Sequence, residues 1–189
     1  MRNQETTKLE IEIKMKKYLL LCFFALTCAA GYAQQAQHVL FKGIPLGGKL
    51  DTFRQQMLEK GFALNDRRTD TPGTCSFVGK FAGDFVEVNC IFSPETNTVS
   101  KVGVDFKRWT VVLEGGEGGV SRSQQSQRFD QLVTSISNNF GKPTQDVKGA
   151  RGSVERMALW KVPGGSIHLV LHNIQGKYVT LSLLFSDGV

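Results

Sequence analysis

Apolar residues recur at helical spacing in two places along the chain. In the first, Leu50, Phe53, Met57 and Leu58 give one side of a helix over 51–60, and Gly61 follows in the position that commonly ends helices. In the second, Phe129, Leu132, Val133, Ile136 and Phe140 fall at i, i+3, i+4, i+7 and i+11, before Gly141 and Pro143. Elsewhere the dominant period is two. It predicts strands over 75–81, 85–92, 99–108, 154–162, 166–173 and 178–185, with 109–113 as an extension of the third. A short strand within 38–46 is stopped by Pro45 and Gly47-Gly48.

Turn chemistry sets registers. A two-residue loop at Gly164-Gly165 pairs Trp160 with Leu169 and Ala158 with Leu171. A three-residue loop over 175–177 pairs Leu171 with Leu181 and Leu169 with Leu183. The hairpin of 75–92 allows two registers. A loop at Ala82-Gly83 sets Cys75 opposite Cys90, whereas Gly83-Asp84 sets Cys75 opposite Phe92. Both put the two cysteines on one face. A Cys75–Cys90 disulfide is the expected state, worth roughly 2–3 kcal/mol for a loop this short. Two buried free thiols are the alternative. A catalytic thiol is disfavoured, because neither cysteine sits beside a helix start or a basic neighbour in sequence.

The element order is strand, helix, strands, connector, helix, strands. It predicts an α+β protein built as two tandem helix–β-meander units, an antiparallel sheet with helices packed on one face. The first unit covers 34–113 and the second 124–189. The Gly/Ser-rich stretch 114–123 joins them. It lacks lysine and is interrupted by Glu117, so it does not match a phosphate-cradling loop.

The first 33 residues read differently. Met15-Lys16-Lys17 precedes an apolar run from Tyr18 to Ala30 and the small residues of Gly31-Tyr32-Ala33. This is the pattern of a secretory signal peptide cut after Ala33, and the run is too short to span a bilayer. Glu5, Glu10 and Glu12 do not suit a leader, so residues 1–14 read as a mis-assigned start. Cys28 is preceded by Thr27, a poor fit to a lipid-attachment signal. Five basic residues and three glutamates depart with the leader, so the charge falls from +6 to +4 on the remaining chain. The expected localisation is periplasmic or secreted, with no transmembrane segment after cleavage. The basic residues are scattered, which does not suit nucleic acid.

The leader, Phe41-Lys-Gly-Ile-Pro-Leu-Gly-Gly-Lys-Leu-Asp-Thr-Phe53 and Gly79-Lys-Phe-Ala-Gly83 resemble a group of small exported proteins. Their order of elements is similar to the tandem helix-plus-sheet fold of beta-lactamase inhibitor protein and of a small outer-membrane assembly lipoprotein. The resemblance covers most of the mature chain, as an order of elements, and implies the fold alone. The second half departs from the inhibitor's one disulfide per unit, having no cysteine, and the motifs are turn and packing residues that carry over no functional position.

Candidate chemistry is sparse. His168 and His172 would share a helix face and suit zinc, but Ile167, Leu169 and Leu171 alternate with them and mark a strand. Four residues along a strand span roughly 13 Å, too far for one ion. No nucleophile-elbow or nucleotide motif is present, and no cofactor or metal is expected. His38 lies in a terminal segment, and Asp84 and Glu87 read as surface charges flanking a turn. The last three strands present Met157, Leu159, Lys161, His168, Val170, His172, Tyr178 and Leu184 on the face opposite the core. That face is apolar for a solvated sheet, which marks either a partner site or a face covered by the connector, the N-terminal strand or the other half. The expected function is an exported, non-enzymatic binding or inhibitor-like module for a protein or peptide. The alternatives are a small hydrolase or metal enzyme using His168 or His172, or a carrier of an apolar ligand.

Overall fold

The computed structural model describes residues 37–66, 71–106, 111–112, 120–149, 153–174 and 178–188. The leader, most of the connector and the loop over 175–177 lie outside these residues. In chain order the elements are β1 (Leu40–Phe41), β2 (Ile44–Pro45), α1 (Leu50–Glu59), β3 (Ala63–Leu64), β4 (Thr74–Phe81), β5 (Asp84–Ser93), β6 (Thr98–Asp105) and β7 (Val111–Val112). Then follow α2 (Arg122–Phe140), β8 (Gln145–Lys148), β9 (Val154–Val162), β10 (Gly165–Ile174) and β11 (Tyr178–Asp187).

The strands do not form two tandem units. One antiparallel sheet runs β3-β4-β5-β6-β11-β10-β9-β8, with β7 paired to β11 beside it. The seam is β6 against β11, where Val104 faces Leu183 and Val102 faces Phe185. Each half-meander would otherwise leave an unpaired edge there, and joining them satisfies both edges. The halves also differ in content. The first adds a separate β1–β2 hairpin, and α1 has 10 residues against 19 in α2.

Both helices lie against the same sheet face. Phe77, Val88, Cys90, Val102, Val104, Leu169, Leu183 and Trp160 are all buried on it. From α1, Leu50, Phe53 and Met57 enter this layer; from α2, Phe129, Leu132 and Ile136 do. Polar contacts lock α2 in place. Trp160 Nε1 donates to the Gly141 carbonyl (3.0 Å), and the Arg156 guanidinium lies 4.3 Å from the Phe129 ring while donating to Asp130 (2.7 Å).

Helix ends follow local rules. Ser121 caps α2 in a reciprocal pair with Gln124. At the end of α1, Gly61 takes φ +82°, its N–H donates to the Leu58 carbonyl, and the Phe62 N–H donates to the Met57 carbonyl. These two hydrogen bonds turn the chain so that Phe62 folds back onto the core. It lands on Gly79, where a Cβ would meet the Phe62 ring at 2.4 Å, so the strand must be bare there.

The three-residue loop over 175–177 gives the register expected, and of the two registers open to 75–92 the hairpin takes the first. Cys75 pairs with Cys90 across the Ala82-Gly83 turn, and Leu171 with Leu181. A third differs. The β9–β10 turn is Pro163-Gly164, so Trp160 pairs with Ile167 and Ala158 with Leu169. Proline presets the first turn position and Gly164, at φ +83°, takes the second, which overrides the Gly-Gly pattern. The slip is two residues, so every side chain keeps its face.

The expected disulfide is absent: Cys75 and Cys90 are free and buried. Counting outward from the closing pair Phe81–Asp84, Cys75–Cys90 is a hydrogen-bonded pair, in which side chains stand further apart. Arg54 Nε also engages the Cys75 sulfur at 3.4 Å. Burial, reinforced by the neighbouring Cys75, pushes the Cys90 thiol far above its ordinary range, so it stays protonated and unreactive.

Candidate functional site

The face turned away from both helices holds the sequence-predicted surface. Register aligns Leu159, His168 and Leu184 across β9, β10 and β11, and Met157, Val170 and Ser182 in the next row. His172 pairs with Thr180, and Lys161 with Ser166. Met157, Leu159, His168, Val170 and His172 are half-buried, while Lys161 is exposed. Tyr178 pairs with Ile174 and Val112, but its side chain lies outside those described.

The same face continues past the seam. The alternation along β5 sends Asp84, Val86, Val88 and Cys90 inward, so Phe85, Glu87, Asn89 and Ile91 point outward. Phe85 is 63% exposed and Ile91 44%, both on this face. Between them Ser76 Oγ donates to Asn89 Oδ1, and Asn89 Nδ2 donates to Asp105 Oδ2 (3.1 Å), a polar ladder across β4, β5 and β6. Exposed Lys80, Lys101 and Lys161 sit toward its ends. The β5 residues were missed in sequence because their joining to the β9–β11 patch depends on the β6–β11 seam, which alternation alone does not reveal.

His168 accepts or donates a hydrogen bond with Ser166 Oγ at 3.0 Å. Burial holds both His168 and His172 below the ordinary imidazole value of 6.5. Their stabilising contribution is therefore complete above pH 6.5 and is lost as pH falls through the lowered folded values, since the unfolded chain protonates first. Urea unfolding between pH 7.5 and 5 should show stability declining below 6.5. The decline should be shallower in a His168→Gln/His172→Gln variant; an identical slope would refute the assignment.

Other titratable groups went elsewhere. His38 is anchored, with Nδ1 2.7 Å from Asp187 Oδ2. Asp84 and Glu87 are buried, against the surface role read from the sequence. Among the described residues no three His, Cys, Asp or Glu side chains converge on a possible metal position. No helix among them is long and apolar enough to cross a membrane.

A concavity lies on the helix side, where the apolar-carrier alternative would place its ligand, although no residue is assigned to it from sequence. It is a cleft of about 350 Å³ between the β1–β2 turn, the β4–β5 turn and the C-terminal half of α2. Comparison with family models, curated proteins and solved structures finds no match to this chain.

Proposed function

We propose that the protein is an exported, non-enzymatic binding module that captures a protein or peptide on its helix-free sheet face. One observation carries this reading: Phe85, Ile91, Met157, Leu159, Val170 and Leu184 share a face against which neither described helix packs. Large apolar groups gathered outside the core are the usual mark of a partner surface, and burying each is worth roughly 1.5–3 kcal/mol. Lys80, Lys101 and Lys161 near the margins favour a partner with acidic groups flanking an apolar centre.

Leu159→Glu combined with Val170→Glu places two charges at the centre of the patch. The expected result is a native circular-dichroism spectrum with at least tenfold weaker capture of whatever the wild type retains from envelope extract, since desolvated central side chains dominate such interfaces (about 2 kcal/mol or more each). Equal capture by wild type and variant would remove the reading.

A further inference from the structure

We propose that the helix-side cleft binds a single-chain amphiphile with an anionic head group. Phe81 and Phe185, edge-to-face with centroids 6.5 Å apart, line it together with Leu132 and Ile136 of α2. At its margins Leu40 and Phe140 are 48% and 40% exposed, an apolar rim that an acyl chain would cover. At roughly 30 Å³ per water-sized group, 350 Å³ accepts about a dozen methylene-sized units.

The charge at the rim selects the head group. Among the described residues Lys42 is the one charged residue lining the cleft, and no carboxylate among them lines it. Its ammonium reaches only the Lys80 carbonyl at 3.5 Å and the Phe62 ring at 5.4 Å, and among the described residues it meets no acid. Backbone geometry marks the same place. Lys42 and Ala82 both take φ +50°, a left-handed conformation that L side chains rarely adopt, and both line this cleft. Each opens a two-residue hairpin turn, Lys42-Gly43 and Ala82-Gly83, whose primed geometry requires positive φ at both central residues, so the two turn tips that wall the cleft are fixed by turn type. The site lies on the opposite side of the sheet from the docking face and stands or falls independently of it.

Titration calorimetry of the purified chain with sodium dodecanoate, below its micellar concentration, tests the proposal. Dodecyltrimethylammonium is the control of equal chain length. Saturable 1:1 binding of dodecanoate is expected, with at least about tenfold preference over the cationic control, the value of one charge-assisted contact. Lys42→Met should erase most of that preference and leave the control within about twofold. Ser135→Trp, on the exposed lining of α2, should block both ligands, and Asn139→Trp one turn on should repeat the block if the first variant folds poorly. Absence of saturable binding, equal affinity for the two amphiphiles, or binding unchanged by Lys42→Met or by both tryptophan variants would overturn it.

Discussion

Asp84→Ala is expected to destabilise the protein by about 3 kcal/mol, a value set by what it leaves behind. Arg128 on α2 places Nε 2.9 Å and Nη2 2.7 Å from Asp84 Oδ2, while Nη1 reaches Gln131 and Nη2 also reaches the Ala82 carbonyl. Asp84 is only 6% exposed and the guanidinium is largely shielded. Deleting the carboxylate thus removes an ion-pair partner from a charge that water reaches poorly, the costly half of breaking such a pair. For a domain of this length a loss of that size lowers Tm by roughly 6–12 °C. Asp84→Ala with Arg128→Leu should recover part of it, because no charge then remains to be desolvated. Urea unfolding at constant m-value provides the test, and a loss under about 1 kcal/mol would show that solvent already screens the pair. The ion pair also ties α2 to the β4–β5 turn, so Asp84→Ala should weaken dodecanoate binding in proportion to the loosening of that wall.

That pair illustrates where sequence reading stops. Asp84 flanks a turn, and turn-flanking acids are usually solvated. Its burial depends on α2, 44 positions later, crossing the turn. Signals that act within a few residues were legible: the stripe of α2, the glycine that ends α1, and the alternation that sorted His168 from Leu169. The 175–177 loop gave a correct register, because loop length determines pairing once a loop's position is fixed, whereas 75–92 admitted two loops of equal length one position apart and so left its register open. The β9–β10 register differs by two because Pro163 presets the first turn position, a preference that the Gly164-Gly165 pair masks in sequence, yet the patch residues keep their face under an even slip. The tandem-unit expectation failed at the β6–β11 seam, a pairing across about 80 residues that no local pattern encodes. The β8 strand escaped notice for a different reason: all four of its residues are exposed, so it has no apolar alternation to read.

The seam and the two faces are one consequence of the same physics. A continuous sheet needs cover on one side only, and the two helices with the β1–β2 hairpin supply it. Covering with three separate pieces leaves a joint where the hairpin meets α2, and the cleft is that joint. The face against which neither described helix packs carries apolar groups from both halves of the chain, brought together because the halves share a sheet. The two proposed binding surfaces, on opposite sides of the sheet, thus trace to a single topological fact.

Gly164→Ala is expected to cost 2–4 kcal/mol, about as much as a core truncation, from a residue with no side chain. Two penalties add. At φ +83° an L side chain is strained by roughly 1–2 kcal/mol. The added Cβ would also stand 1.9 Å from the Gln37 carbonyl oxygen and 2.9 Å from the His38 Cα, so backbone must yield and not merely a flexible side-chain tip. What yields is the segment that leads into β1. It is held by His38 on Asp187 and by Val39, whose N–H donates to Asp187 at 3.4 Å and whose side chain is buried. Moving it off the β9–β10 turn exposes Val39 and opens the polar contact together. His38→Ala separates the terms, because it removes the ring contact and leaves the turn intact, and should cost no more than half as much. Hydrogen exchange gives the local readout: in Gly164→Ala the Val39 amide and the Gly188 amide, which donates to the Gly164 carbonyl at 2.7 Å, should lose protection before the β10–β11 ladder does. Protection unchanged at both amides, or a stability loss within 0.5 kcal/mol of zero, the ordinary range of a surface substitution, would show that the terminal segment does not rest on this turn.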